Sequence, residues 1–547
     1  MKIFINNFFN DLDLSPFYKL FELTFNVNIE LGNIENSDIL LESVFGENTL
    51  LYHKKWLYSF LFIGESDRRN DKIFMKNKLN IIKDYSCVLK GEKDNGNVIN
   101  FPLFVFYSYC FNYTYKFIKY NYDTTRWKQL ENNIITTVPA KDVCVIVSNG
   151  GDSEGRNYFF DKLNEKIKID YAGSYKNNVP RIVDFHFSSE FIKFVSQYKI
   201  IITMENSKNN TYITEKILQG FAANIIPVYW GSDNICEFFN EERFINVKSF
   251  DDMDVNNAID KIIVILNDNE KYLEMVNKPI YANNRIPFSL YNISNNIKKL
   301  LNVEDKQIKK FITFGGPTPK FHNRVKKICE EANDIDYFNQ IIGFTEVDLK
   351  NDEQFWGKHG NFIENNNRGY GYWIWKSHLI KKELDKMNYN DILIYCDSGC
   401  QINKNGRERL LEYIDLLNTN KDEYGLISFQ LEFKELLYTK QQIFEHFNCD
   451  ETNANMFQCI ATVQIIKKNN HSINIINEWY NACNNHNLIN DVLTNENHSF
   501  IENRHDQSIL SILVNKYGSI KLLDETFFSP FWNTNGKSFP FWAKRIK

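Results

Sequence analysis

Carboxylates, amides and lysines gather in one stretch, Glu205-Asn206-Ser207-Lys208-Asn209-Asn210-Thr211-Tyr212-Ile213-Thr214-Glu215-Lys216. A group that departs as a nucleoside diphosphate needs positive charge at its phosphates. The attacking hydroxyl needs a carboxylate to receive its proton. Without a bound metal, the first task falls to Arg or Lys, and this stretch carries both kinds of group. It follows a β-rich run, residues 200–203, and opens a helical pattern near Thr214. Ligands of open α/β sheets gather at such carboxyl ends of strands. A second loop of this kind, Ser148-Asn149-Gly150-Gly151, leads to Arg156 at the start of another helical segment. Arg156 and Lys216 are therefore predicted to converge on one diphosphate. Each residue taken singly also has an ordinary reading. Glu215-Lys216 is then a solvated helix start, Arg156 a surface ion-pair residue, and Asn206 and Thr214 turn and cap residues.

The elements that must position these groups are short apolar runs alternating with amphipathic segments. The runs begin at Asp38, Ser59, Asp142, Lys199 and Asn224, and each ends at polar or glycine positions. Helical patterns fall at residues 156–166, 214–223 and 254–267, the last with Ala258, Ile259, Ile262, Ile263 and Ile265 on or near one face. Such alternation predicts open, largely parallel α/β sheets. An Asn- and Lys-rich stretch, residues 294–310, reads as a linker. A fresh strand from Lys310, closed by Gly315-Gly316-Pro317, opens a new domain with a strand at residues 391–397 and a late helix at 506–517.

The chain has 547 residues, 43% hydrophobic and 24% charged, and a formal net charge of −5. That length calls for several domains. The charge argues against a nucleic-acid partner. The 15% aromatic content, with the abundance of Asn, Ile and Lys, reads as codon bias. No stretch reaches the ~20 apolar residues of a membrane span, and the start lacks a signal-peptide core. Ten scattered cysteines, with Cys396 and Cys400 the one close pair, read as reduced thiols. The expectation is a soluble, cytoplasmic protein.

The order and spacing of the motifs resemble one family. Tyr198-Lys199-Ile200 through Met204-Glu205-Asn206-Ser207, Tyr212-Ile213-Thr214-Glu215-Lys216, Ile226-Pro227-Val228-Tyr229-Trp230-Gly231-Ser232 and the run from Phe244 to Phe250 resemble the signature of the α-1,3/4-fucosyltransferases. The likeness is nearest to the soluble bacterial members, and giant-virus proteins share that soluble form. Val147-Ser148-Asn149-Gly150 and the run Gly155-Arg156-Asn157 resemble the family's donor-domain entry. Phe62-Ile63-Gly64-Glu65-Ser66 resembles its Gly-Glu-Asn element, with Ser in the third place, and Asn100-Phe101-Pro102-Leu103 a segment that follows it. The likeness covers residues 37–278 and is stronger after Val143. It implies a GT-B architecture of two Rossmann-like domains, the acceptor side at 1–138 and the donor side at 139–300. It also implies GDP-fucose as donor, a glycan or glycoprotein hydroxyl as acceptor (α-1,3 linkage), inversion at the anomeric carbon and no metal cofactor. By the same resemblance Glu65 is the general base, Arg156 and Lys216 hold the donor phosphates, and Asn206, Tyr212 and Glu215 contact ribose, phosphate or fucose. Animal members carry a membrane anchor and a disulfide-rich Golgi setting, and neither pattern is expected here.

The remaining segment, 308–547, carries Arg368-Gly369-Tyr370-Gly371-Tyr372-Trp373-Ile374-Trp375-Lys376, then Asp397-Ser398-Gly399-Cys400, then Arg504-His505-Asp506-Gln507. An acid closing a buried strand before Ser-Gly resembles the place where GT-A glycosyltransferases hold a metal and a nucleotide. The later His-Asp-Gln resembles an acceptor-side element. Asp397 and Asp506 are the site candidates, with a second nucleotide sugar and a divalent metal (Mn²⁺ or Mg²⁺) as implied ligands. The usual second carboxylate of Asp-x-Asp is missing. Asp397 also reads as a strand-end cap, Asp506 as a helix N-terminal acid, and Tyr372, Trp373 and Trp375 as core or as stacking surfaces. The whole segment also reads as a non-catalytic carbohydrate-binding or scaffolding module.

Overall fold

The computed structural model describes residues 1–9, 12–46, 48–65, 79–111, 134–148, 154–182 and 187–546. Ser66 and residues 149–151, both in motifs quoted above, lie outside the described residues. The chain forms two compact units, one of the described residues up to Asp305 and one from Lys306 onward.

The first unit holds two sheets in which every pairing is parallel. One runs in the order Glu30–Leu31, Lys2–Asn6, Ile39–Ser43, Tyr58–Ile63, Cys87–Lys90, Val98–Asn100. The other runs Ile245–Asn246, Ile226–Tyr229, Tyr198–Ile202, Lys141–Val145, Ile169–Tyr171. Parallel strands covered on both faces need continuous apolar runs. Ile39–Ser43 is buried throughout, and Tyr198–Ile202 and Tyr58–Ile63 nearly so. Tyr198–Ile202 sits at the centre of its sheet, so its carboxyl end opens in the middle of that edge.

The helix Leu103–Cys110 joins the two halves of this unit. Its Phe104 ring meets Phe238, Phe239 and Phe288 at centroid separations of 5.4, 5.2 and 6.1 Å. The Phe104 N–H donates to the Ile213 carbonyl at 3.0 Å. The stretch expected to be a linker is in good part helical: Leu290–Leu301 buries Leu290, Ile293 and Ile297 in the same core as Ile3 and Phe17. Its apolar positions keep a helical period, and the Asn and Lys between them gave the segment a linker's composition.

The second unit is built on a mixed seven-stranded sheet in the order Gln340–Thr345, Lys309–Gly315, Ile392–Cys396, Val463–Lys467, Leu426–Lys434, Phe457–Cys459, with Ile520–Leu523 also paired to Leu426–Lys434. Val463–Lys467 runs antiparallel to both of its neighbours. The helix Asp506–Tyr517 begins and ends where the sequence predicts. None of the ten cysteines is in a disulfide. Among the described residues, no helix is long and apolar enough to cross a membrane.

Phe104 is 1% exposed between the two halves of its unit. Phe104→Ala is expected to lower the unfolding free energy by ~3–5 kcal/mol, read by chemical denaturation. A loss below ~1 kcal/mol would show that the ring does not hold these halves together.

Candidate functional site

The chain leaves strand Tyr198–Ile202 through Thr203, Met204 and Glu205, all buried. The Glu205 N–H donates to the Trp230 carbonyl at 2.8 Å and holds the residue at the sheet's carboxyl edge. Its carboxylate is fully buried. Oε1 accepts the Thr214 N–H at 2.8 Å, and Oε2 accepts the Thr214 hydroxyl and the Lys216 ammonium, each at 2.9 Å. Three donors on one buried acid supply what burial would otherwise deny it. Burial pushes the Glu205 carboxyl above its ordinary range, while Lys216 pulls it back. Burial pulls Lys216 down in turn, but Glu205 and Glu215 overcome this and leave it raised.

Arg156 enters from the helix Glu154–Asn164 and is 1% exposed. Its guanidinium donates to Asn206 Oδ1 at 3.1 Å. The two predicted cations thus end on adjacent residues, Arg156 on Asn206 and Lys216 on Glu205. They are close enough that Arg156 opposes the charge of Lys216. Arg156 is an interior group, contrary to its ordinary reading as a surface ion-pair residue. Glu215 immediately precedes the helix Lys216–Ala222 without a side-chain capping bond, and Tyr212 is buried.

Glu65 follows strand Tyr58–Ile63 and is half-buried. Tyr107, on the helix Leu103–Cys110, feels the charges of both Glu65 and Glu215. Burial raises the Tyr107 phenol, and the charges of Glu215 and then, after Cys110, of Glu65 raise it further. The two loops also approach closely: a Cβ on Gly91 would lie 2.4 Å from the Thr211 carbonyl oxygen. Glycine is required there for space. Sequence reasoning missed Glu205 and Tyr107 as site residues. Glu205 had a readable signal, an acid that follows a buried, isoleucine-rich strand by three residues.

The second unit brings its two candidates together around a residue the sequence reading did not single out. Lys376, 3% exposed on the helix Ile374–Asp385, places its ammonium 3.1 Å from Asp397 Oδ1 and 3.3 Å from Asp506 Oδ2. The Tyr395 hydroxyl donates to Asp397 Oδ1 at 2.5 Å. Asp397 closes strand Ile392–Cys396, and Asp506 begins the helix Asp506–Tyr517. Burial raises the Asp506 carboxyl to about 6 against the pull of Lys376. A left-handed turn precedes the lysine's helix: Gly369, Tyr370, Gly371, Tyr372 and Trp373 all have positive φ. L-residues resist that region, and a Cβ on Gly371 (φ 83°) would also meet Ile363. The turn sets Tyr372 and Trp373 against the His505 ring at 4.8 and 5.5 Å, while Trp375 packs on Phe314 at 3.9 Å. Of the three aromatics, Trp375 is therefore core. Lys376, Asp397 and Asp506 line a cleft of about 690 Å³. Among the described residues, no group of three or more His, Cys, Asp or Glu is placed to hold a metal ion.

Comparison with known proteins gives a match between residues 138–278 and the family model for glycosyltransferase family 10 (fucosyltransferase), C-terminal part. The chain is 23% identical over 304 residues to the α-(1,3)-fucosyltransferase FucT of Helicobacter pylori, which covers 50% of this chain and 59% of that protein. It is 32% identical over 164 residues to a protein of Acanthamoeba polyphaga mimivirus named as a fucosyltransferase, covering 28% of this chain and 26% of that one. The chain thus spans less than two thirds of the length of either relative. A solved α1,3-fucosyltransferase with GDP-fucose aligns at a TM-score of 0.40 and 20% identity, over 56% of this chain and 91% of that one.

Glu205→Ala is expected to cost about 3 kcal/mol of stability, because it strands the Lys216 ammonium and the Thr214 donors. Glu205→Gln, which keeps an acceptor for Thr214, should lose less in the same denaturation assay. For Asp506 the folded pKa, about 6, lies above the ~3.9 of an unfolded Asp. The folded state therefore binds more protons between these values, and stability falls as pH rises from about 4 to about 6. Asp506→Asn should flatten that slope in unfolding free energies measured across the window, and an unchanged slope would assign it to another group.

Proposed function

We propose that the first unit is an inverting fucosyltransferase that moves fucose from GDP-fucose to a glycan hydroxyl, with α-1,3 linkage, on a GT-B architecture. The observation that carries this reading is the meeting of Arg156 and Lys216 on adjacent residues at the carboxyl edge of a parallel sheet. The family match supports it, since Arg156, Asn206, Tyr212, Glu215 and Lys216 all fall within residues 138–278. The names of the relatives supply the donor and linkage.

In this reading the acceptor hydroxyl attacks the anomeric carbon from the face opposite GDP, and the bond from that carbon to the β-phosphate oxygen breaks. Glu65 takes the hydroxyl proton. Arg156 and Lys216 meet the charge that develops on the departing diphosphate, so the module runs without a metal. Asn206, Tyr212 and Glu215 line the donor. Glu205 fixes the Lys216 ammonium.

The second unit is read as a further glycosyltransferase, GT-A-like, with Asp397 and Asp506 in its cleft. Support comes from the buried strand ending at Asp397 and from the convergence of both acids on Lys376. Two transferases on one chain would add two sugars to one glycan in turn.

The test is transfer from GDP-fucose to an N-acetyllactosamine acceptor by the full chain. Lys216→Ala and Arg156→Ala are each expected to lower kcat/KM by about 10²–10³. Glu65→Gln should lower kcat by about 10²–10⁴ with GDP affinity nearly unchanged. Wild-type turnover in Lys216→Ala would refute the phosphate assignment.

A further inference from the structure

We propose that the cleft of the second unit takes the diphosphate of a nucleotide sugar without a divalent cation, with Arg504 and Arg545 facing the diphosphate and Lys376 filling the position between Asp397 and Asp506 that a metal would need. The inference rests on the reading of this unit as a nucleotide-sugar transferase and says how its site handles charge.

A divalent ion held by Asp397 and Asp506 would have to sit between their carboxylates. The Lys376 ammonium already sits there, 3.1 and 3.3 Å from the nearest oxygens, with the Ala461 carbonyl at 3.4 Å. It is 3% exposed, and its stem cannot withdraw to solvent without opening the core. Its charge is held firmly, because the two acids outweigh the effect of burial. Asp506 Oδ2, buried on the cleft wall, is taken up by this ammonium. The donor set therefore does not fit a divalent ion.

The charge a metal would bring to the diphosphate is available elsewhere on the same cleft. Arg504 and Arg545 both line it. Arg504 lies 3.7 Å over the Tyr438 ring and 5.2 Å from that of Phe433, and it donates to Gln458 Oε1 at 3.1 Å. This clamp fixes the plane of the guanidinium, which suits the fork of donors that a phosphate accepts. Burial works against the charge of Arg504, Tyr438 and Glu502 support it, and Arg545 opposes it again. Two guanidiniums that repel each other across a cleft are relieved by an anion between them. His505 is a buried residue of the wall. Its Nδ1 lies 2.8 Å from the Ile489 carbonyl, which makes that nitrogen the protonated one, and Nε2 has no hydrogen bond. Nε2 faces Asp491 Oδ1 at 3.6 Å, and burial lowers the pKa of the ring.

The experiment is titration calorimetry of the full chain carrying Lys216→Ala, with UDP-glucose, UDP-N-acetylglucosamine and GDP-mannose as probes, each in EDTA and in Mn²⁺. The expected result is that at least one probe binds with the same Kd, within about twofold, in both conditions. Arg504→Gln and Arg545→Gln should each weaken that probe by about 10- to 100-fold with the melting temperature of the chain unchanged. Binding seen in Mn²⁺ and abolished in EDTA overturns the metal-free site while leaving the transferase reading intact. Absence of binding by every probe in both conditions overturns both.

Discussion

One buried carboxylate organises the first unit's site. Glu205 has no exposed surface, and an acid in that position is tolerable only when donors surround it. The strand before it delivers the acid, and the loop that follows returns with Thr214 and Lys216 to satisfy it. The geometry of the loop is therefore set by a charge that has to be compensated. Asn206, beside that acid, receives Arg156, so a second cation is aimed by the same stretch of chain. An exposed pair of this kind would be worth little. In the interior, loss of either partner leaves a charge stranded, and that asymmetry keeps the pair in one place.

The second unit solves a related problem with the signs reversed. There the buried lysine is at the centre and the acids come from a strand end and a helix start. The approach to Lys376 is a run of left-handed residues that few sequences would tolerate. In both units a strand's carboxyl end delivers an acid to the site, and a lysine from another segment neutralises it.

The sequence made much of this legible, but unevenly. Strands such as Tyr198–Ile202 and Ile392–Cys396 were readable because buried parallel runs are rich in β-branched residues. Lys216, Arg156, Asp397 and Asp506 were readable because motif spacing and polarity marked them. Tyr107 and Lys376 were not, because neither stands out from the sequence around it. Their roles depend on partners such as Asp506, far along the chain from Lys376, which no local pattern reveals. The helix Leu290–Leu301 was obscured by composition, since its Asn and Lys residues hide four apolar positions with helical spacing. Arg156 had the opposite fault: as a single residue it looked superficial, and it is among the most buried side chains of the molecule.

That same helix has a consequence for how the protein is made. Ile293 and Ile297 complete a core begun by Ile3, Phe17 and Phe21, and the Leu290 N–H donates to the hydroxyl of Tyr109 at 3.2 Å. A nascent chain that has emerged as far as the last strand of the first sheet still presents a wet apolar face where Leu290–Leu301 will lie. At ~5–20 residues per second, the ribosome needs tens of seconds to deliver the missing piece. During that interval the first sheet waits, partly formed, for a segment nearly two hundred residues downstream. Its phenylalanine-rich surface is then a natural place for a chaperone to hold.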